Sequence, residues 1–403
     1  MNNKTIHLIS GTVMLLFLGL IYAWSIFRAP LTEIFPGWTP TKISMTFTLS
    51  IAFFCVGGFI SGRLAAKIAH RTIIRISAVF VLAGFVLLTL LLDPGSEDLS
   101  LYVLYILYGV VGGGGAGMAY NAILSAVTKW FPDKAGMASG VLLFGYGLGG
   151  LILGFLVNYL TETIGIINDF AVLGVIIAAV LFSLSFFIRV PEGPASGRDG
   201  ADGGGKRDYS LSEMVKTQTF WAFAIWMMTS SIGGLLVINS AANIAVYFGA
   251  PAVLGLIVTV FNGIGRPVIG FSYDRFGRPK AMMMNNSILL AGGVSLLLGA
   301  ITNGAGFIFA GLMFIGLAHG GTPTLMSASI MGFFGSKHFA INFATTLFSA
   351  LPAAVIGPLV SSRLQENAGG DYLTTFIMLI VVGFATLALT LAVNVLSKRS
   401  GLE

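Results

Sequence analysis

Long apolar runs separated by short polar breaks fill most of the chain. Runs of spanning length lie at about 6–27, 42–66, 73–92, 100–128, 136–160, 169–190, 218–247, 252–272, 281–301, 305–333, 339–364 and 372–397. A bilayer core takes roughly 20 helical residues, so the pattern predicts an all-α membrane protein with twelve transmembrane helices. The first run carries no clearly separated small-residue cleavage site and is expected to persist as the first helix. One stretch breaks the rhythm, "RVPEGPASGRDGADGGGKRDYSLSEMVK" (189–216), rich in Gly, Pro and charge. It predicts an N-terminal six-helix bundle over 1–190, a cytoplasmic linker over 191–217 and a C-terminal six-helix bundle over 218–403.

Composition agrees. Of 403 residues, 56% are hydrophobic and 9% charged, against about a quarter charged in soluble domains. Fifty-three glycines suggest close helix–helix packing, and the one cysteine, Cys55, excludes an internal disulfide. The net charge of +6 would suit nucleic acid, but its distribution does not. Of the 22 Lys and Arg residues, only Arg28, Lys42 and Arg363 fall on one side of the predicted spans, and Arg266 lies inside a helix. The rest share the other side, which puts both termini and the linker in the cytoplasm of a plasma (inner) membrane protein. The 16 acidic residues all fall in loops, at helix ends or in tails, so no carboxylate relay crosses the membrane centre.

The halves repeat. "GRLAAKIAHR" (62–71) closes the second run and "GFSYDRFGRP" (270–279) the eighth, 208 residues later. Such a period predicts two pseudo-symmetric bundles with a site near the midplane. These loops resemble the signature loop of the major facilitator superfamily, which implies that family's fold and a gating role for Gly270, Asp274, Arg275 and Arg278. The resemblance implies that the acid faces a neighbouring helix N-terminus. The first copy departs, with Ala66 at the acid position and Ala69 at a glycine position. "YAWSIFRAPL" (22–31), "GWT" (37–39), "KWFPDKAGMASG" (129–140) and "FNGIGRP" (261–267) resemble the oxalate/formate antiporter family. The last is shared with monocarboxylate (lactate) transporters, which usually have an acid where this chain has Asn262.

Arg266 has no acidic residue within seven positions on either side, and a guanidinium stays charged at physiological pH. Asn262, four residues earlier, shares its helix face. The planar fork matches a carboxylate in two-point contact, and the resemblance places an anion-binding arginine here. The alternative is an arginine bonded to backbone carbonyls that pins helices together. Asn239, Asn243 and Tyr247 form a polar stripe, as do Asn342, Thr346 and Ser349; each lines a cavity or bonds between helices. Tyr120, Asn121 and Tyr146 are candidate anion partners by resemblance, and Tyr22 joins them unless it belongs with Trp24 to the interfacial aromatic belt. His319 either carries a proton or packs as a neutral ring among glycines. Gly112, Gly114 and Gly117, like Gly145, Gly147 and Gly150, fit G-x-G-x-x-G but lie within spans, where they read as packing faces. No Walker A, H-E-x-x-H or G-x-S-x-G motif occurs, so neither an enzyme nor a cofactor is indicated.

The sequence therefore predicts a monomeric alternating-access carrier for a small carboxylate such as lactate, pyruvate or formate, with protons as a possible co-substrate. Oxalate/formate exchange is the alternative within transport. A passive anion channel and an anion sensor are the rivals outside it.

Overall fold

The computed structural model describes residues 3–191, 207–238, 240–251, 254–255 and 257–402. Its spans run α1 Asn3–Ala23, α2 Thr41–Leu64, α3 His70–Leu91, α4 Glu97–Thr128, α5 Pro132–Ile164 and α6 Ile166–Ser185. They continue with α7 Gln218–Ile238, α8 Ile257–Phe276, α9 Arg278–Thr302, α10 Ala305–Phe334, α11 Phe339–Asn367 and α12 Leu373–Arg399. Among the described residues, eleven of these are long and apolar enough to cross a membrane. The remaining one, α8, is a continuous helix of 20 residues, but Asn262, Arg266 and Asp274 lower its apolar content. Chemistry placed in the span hides the span.

The chain divides into two compact units. One contains Met1–Pro132, Gly145–Gly197 and Phe339–Thr345; the other contains Asp133–Phe144, Arg198–His338 and Thr346–Glu403. Membership thus departs from contiguous halves at the starts of α5 and α11. Within the first unit α2 packs on α4, α3 on α4 and α6, and α1 on α4 and α6. Within the second, α8 packs on α10, α9 on α10 and α12, and α7 on α10 and α12. Each pairing recurs six helices later, which is the sequence repeat expressed as packing.

Glycine makes these pairings close. Lipid chains are as apolar as leucine, so helix association in a bilayer rests on packing and hydrogen bonds rather than on burial from water. A Cβ on Gly117 of α4 would lie 1.9 Å from the Phe54 carbonyl oxygen of α2, and one on Gly149 of α5 would lie 2.1 Å from the Leu16 oxygen of α1. In the second unit a Cβ on Gly320 of α10 would meet the Asn262 oxygen at 1.9 Å, and one on Gly265 of α8 the Leu317 oxygen at 2.1 Å. Of the two glycine triplets, Gly112 and Gly117, and Gly145 and Gly150, press against neighbouring helices.

Three runs are less regular than their hydropathy suggests. The fourth contains a π-helical stretch, Tyr105–Gly112. The run at 218–247 is two helices, α7 and a short Ala241–Tyr247; of the expected Asn239–Asn243–Tyr247 stripe, Asn243 and Tyr247 lie on the short helix and Asn239 lies outside the described residues. α11 breaks into Phe339–Leu347 and Ala350–Asn367. Pro352 explains that break: it has no N–H for the Phe348 carbonyl, yet it is tolerated in the first turn of the new helix.

Of the expected linker, residues 192–206 lie outside the described residues. Its end is anchored within the second unit. Tyr209 N–H donates to the Phe334 oxygen at 2.9 Å, and the Lys337 N–H to Asp208 Oδ1 at 3.0 Å. Ser210 and Glu213 form a capping box on the helix Leu211–Met214. Bonds from the Ser210 hydroxyl and backbone N–H, and then from Arg207, pull the Glu213 carboxyl down to about 2.

Replacing Gly320 with Ala should push α8 and α10 apart, costing about 1–3 kcal/mol as overpacking does. Gly306→Ala on the same helix, where an added Cβ meets nothing within 4 Å, should be neutral or stabilising. Thermal melts of both variants in detergent check the contrast; equal melting temperatures would refute it.

Candidate functional site

Arg266 lies near the middle of α8 and is 4% exposed. Its Nη1 donates to the Leu143 carbonyl oxygen at 2.5 Å, its Nη2 to Asn262 Oδ1 at 3.1 Å and its Nε to the same oxygen at 3.4 Å. The spacing of four puts Asn262 directly behind the guanidinium. These oxygens are neutral, so the contacts fix the plane of the fork without cancelling its charge. The backbone around it is equally fixed. A Cβ on Gly140 of α5 would lie 2.6 Å from the Arg266 oxygen, while Gly265 and Gly320 lock the other side of α8 to α10. The hydroxyls of Ser139 on α5 and Ser327 on α10 share a hydrogen bond of 2.8 Å.

His319 of α10 packs on α7 at Gly234, where a Cβ would lie 2.2 Å from its Nδ1. That Nδ1 is buried with no hydrogen-bond partner. One turn along α10, the Thr322 hydroxyl bonds with Ser230 of α7 at 3.0 Å and accepts from Asn285 Nδ2 of α9 at 3.3 Å.

Asp274 accepts the Gly136 N–H at 2.8 Å and the Met137 N–H at 2.7 Å, one on each carboxylate oxygen. These are first-turn amides of the helix Ala135–Ile164, where backbone donors and the helix dipole both favour an anion. Gly270 permits the approach, since its Cβ would meet the Gly136 oxygen at 2.2 Å. Arg275 is exposed over the rings of Phe271 and Phe276. Arg278 is buried, donating to Asn394 Oδ1 at 2.9 Å and Ser397 Oγ at 2.8 Å of α12 and lying over Phe333. In the first copy Gly62 keeps the close approach, since a Cβ there would lie 2.7 Å from the Cα of Ile341. Ala66 has no carboxylate to add to it.

The first unit brings three expected residues together. Tyr146 packs against Tyr120 with ring centroids 4.9 Å apart and against Tyr22 at 5.2 Å, with Phe54 beside both Tyr120 and Tyr146. Tyr120 and Tyr146 are buried, whereas Tyr22 is 48% exposed. Asn121 faces elsewhere. Its Nδ2 donates to the Gly58 oxygen at 2.8 Å and the Ala340 oxygen at 3.0 Å, tying α4 to α2 and to the start of α11. Ser349 lies at the break in α11 and donates to the Thr346 oxygen at 2.7 Å. Asn243 is exposed on the short helix Ala241–Tyr247.

Two features escaped the sequence. The Leu143 carbonyl is a backbone acceptor, which no residue type announces. Asp169, expected at an outer helix end, is fully buried in the first turn of α6, with Thr161 Oγ1 donating to its Oδ2 at 3.1 Å. Its place just after Gly165, in a helix start, was the available signal. Among the described residues no group of three metal-ligating side chains occurs.

Comparison with known proteins bears on this arrangement. The Escherichia coli (strain K12) protein described as an uncharacterized MFS-type transporter, YhjX, is 27% identical over 345 residues, 83% of this chain and 81% of its own. The oxalate:formate antiporter of Oxalobacter formigenes is 26% identical over 403 residues, covering 96% and 91%. The solved structure of the proton:xylose symporter XylE bound to 6-bromo-6-deoxy-D-glucose superposes with a TM-score of 0.68 at 16% identity, covering 96% of this chain and 94% of that one. That likeness is one of fold. The Major Facilitator Superfamily pattern matches residues 9–358. With its repeated six-helix pairings and its aspartate-capped loop after α8, this chain belongs to the Major Facilitator Superfamily of membrane transporters.

Proposed function

We propose that the protein is a secondary transporter of small monocarboxylate anions of the lactate, pyruvate or formate type. It works by alternating access, as a proton-coupled symporter or an anion exchanger, with both termini in the cytoplasm. One observation carries the reading: the Arg266 fork is oriented by Asn262 and Leu143 on a helix clamped by glycines. Preorganised, buried guanidinium suits two-point recognition of a carboxylate. The relative named as an oxalate:formate antiporter supports carboxylates as the substrate class. Phe261 and Leu317, near Asn262 and Gly265 in sequence and packing, suit a short carbon tail.

The name of that relative also favours a second reading, oxalate/formate exchange. Charge distinguishes the two. In the resembling family the oxalate transporters use a lysine in helix 11 for the second carboxylate, whereas α11 has no Lys or Arg between Lys337 and Arg363. A dianion held by Arg266 would keep one desolvated charge without a counter-ion, which costs several kcal/mol.

Arg266→Lys should abolish or severely reduce uptake while the protein still inserts and folds, because an ammonium cannot reproduce the fork. Near-normal uptake by that variant would remove Arg266 from two-point binding. Asp274→Asn should slow turnover and leave affinity unchanged, since Asp274 bonds to the α5 start and not to the Arg266 face. A large affinity loss at unchanged maximal rate would contradict this gating role. Lactate should bind about tenfold or more tightly than oxalate at neutral pH, as each 1.4 kcal/mol of unpaired charge is about tenfold. Competition between the two anions on reconstituted protein decides it, and equal inhibition by oxalate would promote the second reading.

A further inference from the structure

The two units repeat one helix pairing closely enough to show which residue is surplus to it. In the first unit a Cβ on Gly113 of α4 would meet the Ser50 oxygen of α2 at 2.7 Å, and one on Gly117 the Phe54 oxygen at 1.9 Å. In the second, a Cβ on Gly316 of α10 would meet the Val258 oxygen of α8 at 2.3 Å, and one on Gly320 the Asn262 oxygen at 1.9 Å. The residue just before the later glycine is Ala116 in α4 and His319 in α10. A methyl group suffices for the pairing. Packing on α8 therefore does not account for the imidazole.

His319 sits beside the Arg266 face. Its neighbours Leu317 and Gly320 are pressed on Gly265 and Asn262 of α8, and Arg266 is near enough for its charge to act on the ring. Successive helical residues are about 100° apart, so the side chain leaves α10 to one side of that contact, toward α7. There one edge of the ring is closed. A Cβ on Gly234 of α7 would lie 2.2 Å from Nδ1 and 2.5 Å from Cγ, and Nδ1 is buried with no hydrogen-bond partner. The other edge is open. Nε2 bonds to no group among the described residues, and it keeps a share of the surface that the partly accessible ring retains. A hydrogen on Nδ1 would be orphaned, which costs more than an unused lone pair. The ring thus holds its hydrogen on Nε2, as a donor facing accessible space.

On the reading of Arg266 as the carboxylate fork, we propose that His319 is the specificity-determining residue for an oxygen at C2 of the substrate. Its Nε2–H donates to the keto or hydroxyl oxygen while Arg266 holds the carboxylate. The substrate class narrows to 2-oxo and 2-hydroxy monocarboxylates, with formate and unsubstituted acids as weaker ligands. Selectivity arises in the mismatched case, because an acid without the C2 oxygen leaves a desolvated donor unpaired.

Binding to the purified full chain is measured by calorimetry with lactate, pyruvate and propionate, three-carbon acids that differ only at C2. The parent should bind lactate and pyruvate about tenfold or more tightly than propionate. His319→Leu should bring the three acids within about twofold of one another, since it removes the donor. His319→Gln, whose amide N–H can take over the bond, should keep a several-fold preference. Arg266→Lys should weaken all three acids together. Equal affinity of the parent for lactate and propionate, or a preference that survives in His319→Leu, would overturn the assignment of His319 and leave the carboxylate reading in place. The parent comparison needs no variant to fold. If none of the three acids binds the parent, the carboxylate reading falls and the inference falls with it.

Discussion

A guanidinium carried through hydrocarbon has to find its hydrogen-bond acceptors inside the protein, because the bilayer offers none. At Arg266 that requirement is met by a carbonyl of α5 and an amide one turn back on α8. The α5 carbonyl is in reach because the neighbouring backbones nearly touch. Gly140 lets α5 lie against the Arg266 carbonyl, and Gly265 with Gly320 does the same for α10. The chemistry and the glycine content are one design: each side chain absent from a helix face lets a neighbouring backbone come closer to a charge that needs its oxygens.

Much of this was legible in the chain. The apolar runs marked the spans, the 208-residue repeat marked the two sets of pairings, and the spacing of four joined Asn262 to Arg266. Side-chain identity carries such information directly. What remained hidden is held by backbone atoms or by context. The Leu143 carbonyl has no residue-type signature. The breaks in the seventh and eleventh runs are invisible to hydropathy, although Pro352 signals one of them. Asn121 reads as a ligand group, but sequence does not show that its Nδ2 donates to two backbone carbonyls, since an amide nitrogen in a dry interior takes whichever acceptors lie nearest.

The two signature loops show how one motif can be divided between physical roles. Gly62 and Gly270 both permit backbone contact with a helix start, at Ile341 and Gly136. Only the second loop adds the carboxylate, which binds two amides that would otherwise be orphaned at the start of α5. Ala66 leaves its loop with shape complementarity but without a carboxylate. Close packing is insensitive to salt and pH, whereas a capping carboxylate is not, so the two halves respond differently to the same change of medium.

The π-helical stretch Tyr105–Gly112 has a consequence for how the gene can vary. Hydrogen-bonded rings in a π-helix enclose one residue more than those in an α-helix. Deleting a single residue from this stretch would let the span close into α geometry while Gly117 and Asn121 keep their seats on α2. The fourth helix thus carries slack in its own register. An insertion or deletion in this span has a place to be absorbed, whereas in an unbroken α-helix it rotates every following side chain off its neighbour.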